Sequence, residues 1–303
     1  MGLSRKYKHL GESRLVLSAA LTTAVIAISF AAIFIRLSAA PPLAIAFYRL
    51  FFALLILAPS LTAQGQEIRL LKTSELGGMV TSGFFLAGHF YLWISSLEHA
   101  PVAVSVVLVS VHPLIVAFAG HILLGDTIPR RFFASMLLVL IGTAAIAAEG
   151  VSGFIEGSTE LRGALMALGG AVMMAGYLLV GRRLRQNLST TIYVSGTYGI
   201  AALLLLITAI WAGVPLSGYP PIEYLLFVAL AIIPTLLGHT VFNWALKKVR
   251  ASLVSLLYLG EPLGATVLAF IVLSELPTSL QAAGGLIILS GLYLVIKYGN
   301  RTS

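Results

Sequence analysis

Cysteine is absent from this chain of 303 residues, which excludes disulfides and thiolate metal sites. Charge is scarce as well. Asp, Glu, Lys and Arg make up 10% of the residues, against about 25% in an ordinary soluble domain. Acidic residues are the rarest of these, 11 against 19 Lys and Arg. There is no GxxxxGK[ST] loop, so direct drive by ATP is not expected. There is no HExxH and no two-carboxylate metal cluster, so neither a metal nor any other cofactor is implied. Alternation at period two is missing, which sets aside an outer-membrane barrel.

What remains is apolar. The hydrophobic set reaches 59% and mean hydropathy is +1.00. That leaves too little polar surface for a soluble enzyme, a disordered chain or a secreted scaffold. A spanning helix needs about 20 mostly apolar residues. Ten segments satisfy this: 15–35, 42–60, 75–97, 101–123, 132–149, 161–180, 190–212, 222–244, 252–273 and 278–297. Turn chemistry separates them, as at Pro41-Pro42, Gly125-Asp126, Gly150 to Ser158, Pro220-Pro221 and Pro277. The first segment is too long, and too closely followed by the second, for a signal peptide.

The basic residues orient these spans. If the N-terminus is cytoplasmic, the alternating cytoplasmic segments carry four, two, two, three, three and two Lys or Arg. The opposite connections hold only Arg36 and Arg162, and Arg49 lies inside a span. This bias places both termini inside. It also accounts for the net charge of +8 through the anionic inner leaflet of the lipid bilayer, with no nucleic acid as partner.

The chain also resembles itself. Leu86-Ala87-Gly88-His89 aligns with Leu236-Leu237-Gly238-His239 at an offset of 150. At 149, Pro113-Leu114 aligns with Pro262-Leu263, Leu124-Gly125-Asp126 with Leu273-Ser274-Glu275, and Gly142 with Gly291. One register thus superposes spans 3–5 on spans 8–10. A repeat of five spans, residues 1–150 and 151–303, forces the second copy to face the other way. The loops agree: Leu97-Glu98-His99-Ala100 has no Lys or Arg, whereas its mate is Lys247-Lys248-Val249-Arg250. The fold class is therefore an all-α membrane protein of ten transmembrane helices in two inverted five-helix repeats. Inverted repeats mark secondary transporters, which bind substrate near the midplane between halves.

Several stretches are similar to a known family. They run from Pro42 through Arg49-Leu50-Phe51-Phe52-Ala53, from Ala103 to Pro113-Leu114 and Leu124-Gly125-Asp126, and from Ala251-Ser252-Leu253-Val254-Ser255 through Glu261-Pro262-Leu263 to Ser274-Glu275. In order and spacing they resemble the drug/metabolite transporter superfamily, EamA type, over about residues 14–298. The resemblance implies export or exchange of small organic metabolites, amino acids or their analogues first, through a central cavity of a cytoplasmic membrane and without ATP. A phosphorylated or lipid-linked cargo such as a nucleotide sugar is the alternative. It would need several inward cations, and only Arg49 lies well inside. Span 7 departs from the pattern, with no Arg near Gly196 to match Arg49.

Ionisable groups at membrane depth are costly, and each is a candidate site residue. His112 and Glu261 are repeat mates in mid-span. Glu261 can carry a proton, bind a substrate ammonium, or serve only to pair with a neighbouring helix or cap the backbone freed by Pro262. His89 and His239 are also mates, with Trp93 and Asn243 four residues on and so on the same helix faces. Trp93 offers a face for an organic substrate or a cation; it lies toward the outer end of span 3, as an interfacial aromatic would, and His239 toward the inner end of span 8. Arg49, with Tyr48 beside it, can bind a carboxylate in bidentate fashion, hold helix ends, or lock onto Glu261. Tyr258 lies one turn before Glu261 on its face, and Tyr177 is a weaker candidate. Arg182, Arg183 and Arg185 read as a topological anchor. Gly163, Ala167, Ala171 and Ala175, with Gly142, Gly284, Gly285 and Gly291, read as close helix contacts; a homodimer is one arrangement such stripes permit. The connections are too short for a catalytic domain, so an enzyme is not expected.

Overall fold

The computed structural model describes residues 2–100, 102–125, 130–147, 158–273 and 279–298, and among them there is no strand. Asp126, Ser274, Glu275, Pro277 and most of the Gly150 to Ser158 connection lie outside the described residues.

Apolar runs set the helices and prolines set their starts. α1 covers Gly2–Leu37 and α2 covers Pro42–Thr62. Pro42 opens α2 in the first turn, where a missing N–H costs nothing. The short α3 (Gly65–Arg69) leads to α4 (Thr73–His99). There the Glu75 carboxylate accepts from the Lys72 amide at 2.9 Å, satisfying a free donor at the helix start. α5 (Val102–Val109) breaks at Ser110–Val111, and α6 (His112–Leu124) resumes with Pro113 in its first turn. Gly125 ends α6 at φ 68°, a left-handed cap that suits glycine. α7 (Arg130–Ala147), α8 (Ser158–Leu184) and α9 (Thr190–Trp211) follow.

The next passage is not uniform. α10 (Pro221–Leu230) widens into a π-helical stretch, Ala231–Thr240, before α11 (Val241–Ala245). Pro234 has no N–H to give the ladder. Instead the Thr235 hydroxyl donates five residues back, to the Leu230 carbonyl at 2.8 Å. α12 (Ala251–Leu257) tightens into a single 3-10 turn, Tyr258–Gly260, and α13 (Glu261–Leu273) resumes with Glu261-Pro262. α14 is Ser279–Tyr298.

Six described segments are long and apolar enough to cross a membrane: Leu15–Leu37, Pro42–Thr62, Leu161–Leu184, Thr190–Trp211, Pro221–Ala245 and Ala251–Val272. Shorter apolar helices run over His112–Leu123, Phe133–Gly142 and Ala282–Gly291. Large apolar side chains such as Phe118, Leu165, Ile207 and Trp211 stand exposed on the outside, as a hydrocarbon surrounding requires.

The packing has a pattern. α1 lies along the π-helical stretch and α13, and α8 lies along α4, α5 and α6. α2 pairs with α9, α6 with α12, and α7 with α14. Small residues permit the closest of these approaches. A Cβ on Gly142 would stand 2.5 Å from the Gly284 carbonyl oxygen, and one on Gly163 would stand 2.7 Å from the Ala100 Cβ. The stripe Ala167, Ala171 and Ala175 on α8 is fully buried within the chain itself.

Candidate functional site

The two mid-span breaks meet. α6 and α13 both begin at a cavity lined by His112 and Ser110 from one break and Tyr258 and Glu261 from the other. α4 adds His89 and Trp93, and the π-helical stretch adds His239. Ile28, Ala31, Val109 and Met174 form the apolar wall. The cavity volume is ≈ 20 Å³, room for about one water. Trp93 and His239, expected toward opposite ends of their spans, thus share one chamber with His112 and Glu261.

The rings are ordered. His89 and Trp93 stack at 5.9 Å and 10°. His112 meets the edge of Tyr258 at 5.6 Å. The Tyr258 hydroxyl and His239 Nδ1 are hydrogen-bonded at 3.1 Å. His89 Nδ1 lies 3.0 Å from the Gly170 carbonyl, and His112 Nδ1 lies 2.9 Å from that of Val109. Two polar atoms of this lining are buried without a hydrogen-bond partner, Trp93 Nε1 and His112 Nε2. In a low-dielectric interior such groups are expensive unless something pairs with them.

The remaining candidates do not line the cavity. Asn243 donates to the His239 carbonyl at 2.8 Å and to the Tyr177 hydroxyl, so it supports the histidine from behind. Arg49 is fully buried. Its Nε donates to Thr235 Oγ1 at 3.1 Å, and its guanidinium carbon sits 3.9 Å over the Phe90 ring. Neither terminal nitrogen has a hydrogen-bond partner, so the lock onto Glu261 is not made as a hydrogen bond. Phe90 in turn meets His239 edge-on at 5.3 Å, which puts Arg49 one ring behind the chamber. Tyr48 lies elsewhere, stacked on Phe227 at 4.8 Å and donating to the Leu216 carbonyl.

Arg185, in the run read as a topological anchor, is buried and bonds to Asn243, Leu188 and Thr190. Three contributors were missed in the sequence. Ser110 marks the first break, Phe90 lies under the Arg49 guanidinium, and Thr235 holds it. Only Thr235 had a signal, since it follows a proline in mid-span.

The chain is similar to known proteins. The model of the EamA-like transporter family matches residues 14–148 and 161–297. An "uncharacterized transporter" of Archaeoglobus fulgidus is 25% identical over 289 residues, covering 93% of this chain and 97% of its own length. The Bacillus subtilis "uncharacterized transporter YyaM" is 23% identical over 241 residues, 76% of this chain and 78% of that one. A solved crystal structure superposes with a TM-score of 0.77 at 21% identity, covering 94% of this chain and 99% of its own; that likeness is one of fold.

Proposed function

The chain belongs to the EamA-like transporter family, and on that premise we propose that it is a secondary carrier working by alternating access. The protein is a multi-pass membrane transporter and not an enzyme. The carrying observation is the central chamber, walled by two broken helices and with room for about one water in this conformation. A metabolite enters such a chamber only after its walls part, which is the motion of a carrier and not of an open channel.

Ten spans in two inverted halves, in a cytoplasmic membrane and with both termini on its cytoplasmic side, complete the proposal. Its support is the pairing of contacts. α1 against the π-helical stretch and α13 has its counterpart, five spans on, in α8 against α4 and α5–α6. The offset of 149 that relates Pro113 to Pro262 also relates His112 to Glu261. The cargo is a small organic metabolite, amino acids and their analogues first, exported or exchanged. Glu261 is the proposed proton-coupling group, being the carboxylate of the chamber.

Counterflow tests this. Proteoliposomes are preloaded with a mixed amino-acid pool, with and without a pH gradient. Trans-stimulated uptake of one labelled member is expected, with a gradient effect that disappears in Glu261→Gln. Uptake that ignores the internal pool overturns the carrier. A gradient effect that survives Glu261→Gln removes that residue from coupling.

A further inference from the structure

Donors and acceptors are unequally divided around the chamber. A carbonyl oxygen only accepts, so His89 Nδ1, 3.0 Å from the Gly170 carbonyl, carries the proton. In the neutral ring Nε2 is then a lone pair. His112 repeats the arrangement at 2.9 Å from the Val109 carbonyl, and its Nε2 is buried without a partner. Glu261 adds a carboxyl group in the first turn of α13. Against these acceptors stand the Trp93 indole Nε1, which only donates and is likewise buried and unpartnered, and the Ser110 hydroxyl, which can donate or accept. The Tyr258 hydroxyl and His239 Nδ1 are occupied with each other. Pro113 and Pro262 remove an amide donor from the start of each half-helix. Arg49 does not line the chamber; its guanidinium carbon lies 3.9 Å over the Phe90 ring.

Two imidazole lone pairs and a carboxylate call for a ligand rich in N–H. We infer that the chamber takes the ammonium head of an organic amine and discriminates against a free carboxylate head. This rests on the carrier reading and names the chemistry of its cargo. An ammonium presents three donors and no acceptor, one for each of His89, His112 and Glu261. The Trp93 and Tyr258 rings add faces that attract a cation. At ≈ 20 Å³ the chamber holds about one water in this conformation, so the amine enters once its walls part, its head toward His89, His112 and Glu261 and its carbon skeleton toward Ile28, Ala31 and Met174.

The test uses three probes with one skeleton: butylamine, 2-aminobutyrate and butyrate. Thermal unfolding of the purified full-length protein is followed by tryptophan fluorescence in the presence of each. Butylamine is expected to raise the midpoint most, 2-aminobutyrate less, and butyrate not at all. Glu261→Gln, which keeps the shape, is expected to weaken butylamine about tenfold or more. Stabilisation by butyrate in preference to butylamine, or no response to butylamine, overturns the inference with the wild-type protein alone, even if the variant fails to fold. Unchanged butylamine affinity in Glu261→Gln does so too. Counterflow of an anionic solute with no amine response leaves the carrier standing and removes the head-group assignment. An amine response without any counterflow does the reverse.

Discussion

Arg185 and Arg49 are both buried, at 2% and 0% exposure, yet their surroundings answer them differently. Arg185 spends every arm. Nε donates to the Asn243 carbonyl at 3.0 Å, one terminal nitrogen to the Leu188 carbonyl, and the other to Thr190 Oγ1 at 2.6 Å. In doing so it ties the end of α8, the start of α9 and α11 into one corner. Burial lowers its pKa from the ordinary arginine value, with Tyr193 and Glu67 acting in the opposite sense. Arg49 bonds through Nε alone and leaves two nitrogens unpartnered over an aromatic face. A charge whose donors are all satisfied is explained by the fold. A charge left with free donors is not, and it stands one ring from the chamber. Full pairing marks Arg185 as structural, and unfinished pairing connects Arg49 to whatever the chamber does.

Stability separates the two most sharply. Arg185→Ala deletes three charge-assisted hydrogen bonds and strands their acceptors, an expected loss of about 3 kcal/mol or more. Its exposed neighbour Arg183 is the control, with Arg183→Ala expected within about 0.5 kcal/mol of wild type. Unfolding midpoints read both. Equal shifts would break the distinction, since Arg185 would then be a solvated anchor like its neighbour.

Arg49→Met should behave in the opposite way. It removes an incompletely paired charge and keeps a long apolar side chain over Phe90, so stability should change by about 1 kcal/mol or less, in either direction. Function should move instead. Arg49 stands one ring behind the chamber, over Phe90, which meets His239. Removing the cation lifts its repulsion of an incoming ammonium, so butylamine should bind several-fold tighter. A large loss of stability with unchanged amine binding would place Arg49 beside Arg185 as a structural residue.

The sequence disclosed the chamber unevenly, and the residues show why. His112-Pro113 and Glu261-Pro262 were legible because a proline in an apolar run marks a broken helix, and because one offset joined them. His89 and His239 were legible because the offset of 150 joined them. The burial of Arg185 was not legible, since three basic residues in four positions look alike in one dimension whether they face water or a carbonyl cluster. Tyr48 was grouped with Arg49 by adjacency, but neighbours on a helix point about 100° apart, and its ring joined Phe227 instead. Trp93 was placed by its depth along a straight helix. Depth does not reveal that two half-helices end opposite it.

The smallest effect is the most discriminating. Thr235 Oγ1 accepts from Arg49 and donates to the Leu230 carbonyl. Thr235→Val loses both bonds in the wild-type background, for about 1–2 kcal/mol. With Arg49→Met already present, only the Leu230 bond remains to lose. A double-mutant cycle should therefore give a coupling of about 1 kcal/mol between the two positions. A coupling near zero would mean that the Arg49 bond to Thr235 contributes nothing. Arg49 would then be held by its contact with Phe90 alone, and the difference from Arg185 would be one of kind and not of degree.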